Sequence, residues 1–271
     1  HENDWLMSTP PPPNAAHAIS PFRSLWLVVA LSMGAAISLG ITRFAYALLL
    51  PPMREDLGWS YTLAGAMNTV NAMGYLLGAL ATPWLLRRMA PGVVLMAGAV
   101  MATVFMGLSG FFTQAPALLV QRLLAGGASA LVFIAGGLLA ARLGAHVPGR
   151  SGLLLGLYYG GTGWGISLSA LLVPAVLAVA PAPHAWTWAW WALALACAAA
   201  TAVLWRPAHV LQGVAPPPAS PTAFNVTPPP ARVRWRALGP ALMGYGLFGV
   251  GYIGYMTFVV ALLREQGASA E

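Results

Sequence analysis

Along this chain, long apolar runs alternate with short polar turns. The runs fall at about Leu25–Leu50, Thr62–Leu86, Val93–Phe112, Ala117–Ala141, Gly152–Ala180, Trp186–Trp205 and Leu238–Leu263. Each reaches the roughly 20 residues that a helix needs to cross a bilayer core. None contains Asp or Glu, and two contain an arginine: Arg43 in the first and Arg122 in the fourth. The pattern predicts an all-α integral membrane protein. It has a six-helix bundle over residues 25–205 and a seventh transmembrane helix within residues 237–271. Residues 1–24 are polar and Pro-rich and are expected to be a disordered N-terminal segment. Residues 206–236, with Pro216 to Pro218 and Pro228 to Pro230, read as a linker too broken to span. Met7 is the expected biological start, with His1 to Leu6 upstream of it.

Composition removes the competing classes. Of 271 residues, 59% are hydrophobic and 7% charged, and mean hydropathy is +0.73. Soluble domains are about 25% charged, so a soluble fold is excluded. The net charge of +7 does not indicate nucleic acid, because the arginines are scattered singly between apolar runs. With the N-terminus in the cytoplasm, Arg23, Arg87, Arg88, Arg142, Arg150, Arg206, Arg232, Arg234 and Arg236 all lie inside. Only Arg54 and Arg264 then lie outside, which satisfies the positive-inside rule. Cys197 is the single cysteine and reads as packing. The five histidines have no metal-ligand spacing, so neither a metal nor a cofactor is expected. No acid pair or nucleophile–base set supports an enzyme.

An arginine inside a span is a functional-site hypothesis by default. Arg43 lies about seven residues below Leu50, roughly 10 Å deep, and Arg122 lies roughly 8 Å below the same face. The pair can bind an anionic group, because guanidinium forks match carboxylate and phosphate. It can also snorkel to headgroups. Asn68, Asn71 and Tyr75 follow a helical spacing on the second span. That face must point into protein or cavity, either as hydrogen-bonding glue or as substrate contact. Tyr245, Tyr252 and Tyr255 do the same on the seventh span, and Tyr46 flanks Arg43. Gly152, Gly156 and Gly160 form small-xxx-small steps that predict close helix packing, extended by Gly161, Gly163 and Gly165. Trp186, Trp188, Trp190 and Trp191 read as an interfacial aromatic belt.

Tyr46…Arg54-Glu55…Gly58…Ser60 at the end of the first span is echoed by Tyr255…Arg264-Glu265…Gly267…Ser269 after the seventh. Six spans and a linker separate the two, the layout of parallel six-helix halves. The stretch Gly40–Gly78, Arg122-Leu-Leu-Ala-Gly126 and Gly152-Leu-Leu-Leu-Gly156-Leu-Tyr-Tyr-Gly160 together resemble the major facilitator superfamily, in its YbfB/YjiJ-like branch. The loop after the second span departs from that pattern: it keeps Gly78, Arg87 and Arg88 but lacks the usual aspartate. The resemblance implies a bacterial inner-membrane carrier of twelve spans that works by alternating access. Its substrate would be a small organic solute, for which the arginines suit an anionic group, with a coupling ion such as H+. It also implies that the first, fourth and seventh helices line a central cavity with Arg43 and Arg122 aimed inward; Arg43, Tyr46, Asn68, Asn71, Tyr75, Arg122, Tyr252 and Tyr255 are then the candidate substrate-binding residues, and Gly126 a helix-packing one. Seven spans then read as the first half plus one helix. The fifth-helix seam is left for the missing half or for self-association. The alternative is a non-transporting assembly protein or an inactive truncated derivative.

Overall fold

The computed structural model describes residues 20–147, 149–213 and 235–266. The expected disordered N-terminus, most of the Pro-rich linker and the Gly267–Ser269 half of the repeat lie outside the described residues. The described chain is helical throughout. Its elements are α1 (Pro21–Ala35), a π-helical segment (Ala36–Phe44), α2 (Ala45–Leu57), α3 (Tyr61–Leu86) and α4 (Pro91–Ser109). They continue with α5 (Ala115–Ala145), α6 (Ser151–Val179), α7 (Ala185–Gln212) and α8 (Trp235–Glu265). The first three run on as one helix over Phe22–Leu57.

Among the described residues, five helices are long and apolar enough to cross a membrane: Phe22–Leu57, α4, α5, α6 and α7. The second and seventh predicted spans also form long helices, α3 of 26 residues and α8 of 31, but are not among those five. In α3 the reason is chemical: Asn68 and Asn71 lower its mean apolarity, and both are buried against protein.

Two helix ends differ from the pattern reading. The first helix does not leave the apolar run at Pro51-Pro52; it continues through both prolines to Leu57. Proline keeps a helical φ and removes one donor, so the turn survives with fewer bonds. The helix ends instead at Gly58, whose φ of 64° supplies the left-handed cap and whose N–H reaches the Arg54 carbonyl. Likewise α7 passes Arg206 and Pro207 and ends at Gln212.

α5 is the hub of the bundle, packed by α3, α4, α6 and α1, while α4 also packs on α7 and α1 on α6. Glycines set the closest crossings. A Cβ on Gly74 would lie 1.9 Å from the Leu123 carbonyl O, and one on Gly126 would lie 2.1 Å from the Asn71 carbonyl O. A second crossing joins the π segment to α6, where a Cβ on Gly40 would lie 2.5 Å from Gly165 Cα. One on Gly165 would lie 2.4 Å from the Ala36 carbonyl O.

On α6 the close packing within the bundle falls to glycines other than the 152, 156 and 160 stripe. No atom lies within 4 Å of a Cβ built on Gly152, Gly156 or Gly160; the packing positions are Gly161 and Gly165. The four-residue steps 161, 165 and 169 face α1 and the π segment, and the 152, 156 and 160 stripe lies on another face. Only 17% of the most apolar window of α6 is buried, against 72% for Phe22–Leu57.

Candidate functional site

Side chains bond to the backbone carbonyls of the π segment from within it and from α5. Thr42 Oγ1 donates to the Ile37 carbonyl O at 2.7 Å, five residues back. Ser38 Oγ donates to the Ser129 carbonyl O at 2.8 Å, and Ser129 Oγ donates to the Ser38 carbonyl O at 3.1 Å. These reciprocal bonds pin the segment to α5. Local π turns of this kind recur at functional sites.

Behind the segment lies a buried layer around Arg122. This arginine is 2% exposed, and its Nη1 donates to the Thr42 carbonyl O at 3.2 Å. Its guanidinium carbon sits 5.0 Å from the Tyr46 ring centre and 5.6 Å from that of Trp190. Such distances place the cation on two aromatic faces. Tyr46 is held by its hydroxyl, which donates to the Ala64 carbonyl O at 2.7 Å, and Asn71 Nδ2 donates to the Arg122 carbonyl O at 2.9 Å. The layer therefore ties α2, α3, α5 and α7 together. Among the described residues, Arg122 Nε and Nη2 and Trp190 Nε1 have no hydrogen-bond partner. Among the described residues, α3 to α7 contain no Asp or Glu, and the acids of α2, Glu55 and Asp56, stand in its last turn, with Asp56 bonded to Trp186 and His184.

In front lies a cavity of about 90 Å³ lined by Leu39, Arg43, Phe44, Ala47, Asn68, Thr162, Ile166 and Tyr252. Among the described residues Arg43 is its only charged lining residue, with Asn68, Thr162 and Tyr252 as polar companions. Arg43 is close enough to Tyr75 and Arg122 to act on both electrostatically. Pockets for drug-sized ligands begin at about 300 Å³, so this one fits a single small polar group or one end of a solute.

The structure thus divides the predicted residues. Arg43, Asn68 and Tyr252 share the cavity, and Tyr75 stands half-buried beside them. Arg122, Tyr46 and Asn71 do not line it and form the wall behind. Tyr255 is 67% exposed on α8 and joins neither group; Tyr252 stacks on Phe248 at 5.8 Å instead. Thr162, Ile166 and Phe44 escaped the sequence reading, although Thr162 sits inside the glycine-rich run that marks close approach of α6. Replacing Tyr46 by phenylalanine removes one buried hydrogen bond. It should lower stability by about 1 kcal/mol, measured by thermal unfolding, with the ring contact to Arg122 retained.

The aromatic-belt reading is corrected for two tryptophans. Trp186 and Trp190 are 1% and 0% exposed, and only Trp188 of the four lies about half open. Their four-residue spacing puts both on the inner face of α7. Trp186 Nε1 donates to Asp56 Oδ2, and His184 Nδ1 donates to the same oxygen. This joins the end of α2 to the start of α7. Asp56→Ala should leave the buried indole N–H unpaired and cost about 1–3 kcal/mol, whereas Glu55→Ala should not. Thermal unfolding with tryptophan fluorescence separates the two.

A bundle of membrane-length helices enclosing a small polar cavity with an arginine inside defines a multi-pass membrane protein of transporter type. The family model described as "Uncharacterised MFS-type transporter YbfB" matches residues 35–271, and the chain belongs to that family within the major facilitator superfamily. Comparison with curated proteins gave no match.

Proposed function

We propose that this chain carries the solute-binding half-site of a secondary transporter for a small organic anion. The observation that supports this most directly is the cavity in which Arg43 is the only charged lining residue among the described residues. A carboxylate or phosphate there would accept from the guanidinium, with Asn68, Thr162 and Tyr252 as neutral partners. Alternating access would expose this midplane site to each side in turn. The membrane is the bacterial inner membrane and the N-terminus is cytoplasmic: the ends of α3, α5 and α7 carry the arginines, and the opposite turn carries Glu55 and Asp56. A coupling proton would not be carried by an acid of α3 to α7, since they contain none.

The test is thermal unfolding of the purified chain against small monocarboxylates, dicarboxylates, phosphate esters, neutral sugars and amines, followed by uptake into proteoliposomes. Protection by one class of anion, and uptake of that class, is the expected result. Protection confined to amines or sugars would refute the anion reading.

A second reading, a membrane assembly role, is favoured by the open Gly152, Gly156 and Gly160 stripe beside exposed Leu153, Tyr159 and Trp164. It predicts that Gly156→Ile converts a self-associated form to monomer in detergent, read by light scattering. A monomeric parent protein would count against it.

A further inference from the structure

We propose that the groove between the start of α1 and the end of α7 is a binding site for the headgroup of an anionic phospholipid. α1 and α7 pack against each other. At this end the contact opens into a groove of about 270 Å³ lined by Phe22, Arg23, Trp26, Leu27, Arg206 and Val210. Arg23 and Arg206 bring two guanidinium groups from different helices to one groove, and among the described residues neither forms an ion pair. The described residues at this end of the bundle include Arg23, Arg87, Arg88, Arg142, Arg150 and Arg206, with no Asp or Glu. A phosphodiester supplies the acceptor oxygens that two such forks require.

The apolar part of the groove selects a lipid over a free phosphate. Phe22 and Trp26 are 80% and 49% exposed, and Leu27 closes the floor at 3%. Trp26 follows Arg23 by about one helical turn, so an aromatic face lies just deeper in the bilayer than the cation. Indole rings favour that headgroup level, and acyl chains would run along them. Trp205, also exposed, packs on His209 with ring centres 4.4 Å apart and extends the aromatic rim on α7. Basic grooves between transmembrane helices are a physical match for anionic headgroups. The groove is distinct from the Arg43 cavity: twenty residues of continuous helix separate Arg23 from Arg43, about 30 Å of rise.

The experiment uses the whole chain in nanodiscs of phosphatidylglycerol and phosphatidylcholine, released into native mass spectrometry to count retained lipids. Wild type should retain phosphatidylglycerol selectively. The double variant Arg23→Gln/Arg206→Gln should retain it about thirtyfold less, about fivefold for each arginine. Arg87→Gln/Arg88→Gln should behave as wild type. Trp26→Ala should weaken lipid retention and leave any response to inorganic phosphate unchanged, since only the lipid uses the aromatic face. Equal retention by wild type and the double variant, or equal loss in the two arginine pairs, would overturn the proposal. So would protection from thermal unfolding by inorganic phosphate alone, lost in the double variant, without lipid selectivity. None of these outcomes depends on solute binding at Arg43.

Discussion

Arg43→Ala should remove the response to an anionic solute while leaving the fold intact. Arg43 is half-buried, lines the cavity, and is not among the groups that pin the π segment to α5; the Ser38–Ser129 pair and the Thr42 carbonyl, which accepts from Arg122, do that. A hydrogen bond to a charged group is worth about 1.5–3 kcal/mol, which weakens binding by about 10- to 150-fold. Uptake of the anion into proteoliposomes should fall accordingly, and ligand protection in thermal unfolding should vanish. Arg43→Lys keeps the charge but loses the fork, so partial binding is expected. Full uptake by Arg43→Ala would end the anion-site reading.

Gly126→Val should be strongly destabilising to the bundle. The new Cβ would meet the Asn71 carbonyl O at 2.1 Å, and that atom is backbone, so α3 and α5 must separate. Separation also pulls Asn71 from the Arg122 carbonyl and loosens the layer behind the cavity. Overpacking costs about 1–3 kcal/mol where side chains can yield, and a backbone clash belongs at or above the top of that range. Gly74→Val meets the same crossing from the other side, 1.9 Å from the Leu123 carbonyl O. The two changes share one contact, so their double variant should lose less than the sum of the single losses. Gly156→Val, on the open face of α6, should leave unfolding unchanged.

The long apolar runs made the helices legible, because burial in lipid needs length and apolarity, and both are written along the chain. Gly126 stood out only through the family pattern that it shares with Arg122, and it lies at the α3–α5 crossing. What sequence could not supply was phase. Gly152, Gly156 and Gly160 look identical to Gly161 and Gly165 as small residues, and only the face turned to Ser32, Ala36 and Gly40 decides which of them pack. Arg43 and Arg122 matched in depth, but depth says nothing of rotation, and Arg122 proved to belong to the wall. The bond from Trp186 to Asp56 joins residues 130 apart and leaves no local signature. Asn68 and Asn71 were placed on one face, yet one lines the cavity and the other holds α5.

The π segment gives the first helix an intolerance to changes in length. A residue deleted within Ala36–Phe44 while the wide turns persist would turn everything beyond by close to the roughly 100° that one residue spans in an α-helix. Tyr46, Leu49, Leu50 and Met53, all buried now, would swing away from their seats together. Side chains along this stretch can therefore be exchanged one at a time, whereas the number of residues in it is fixed by the fit of both ends of the helix at once.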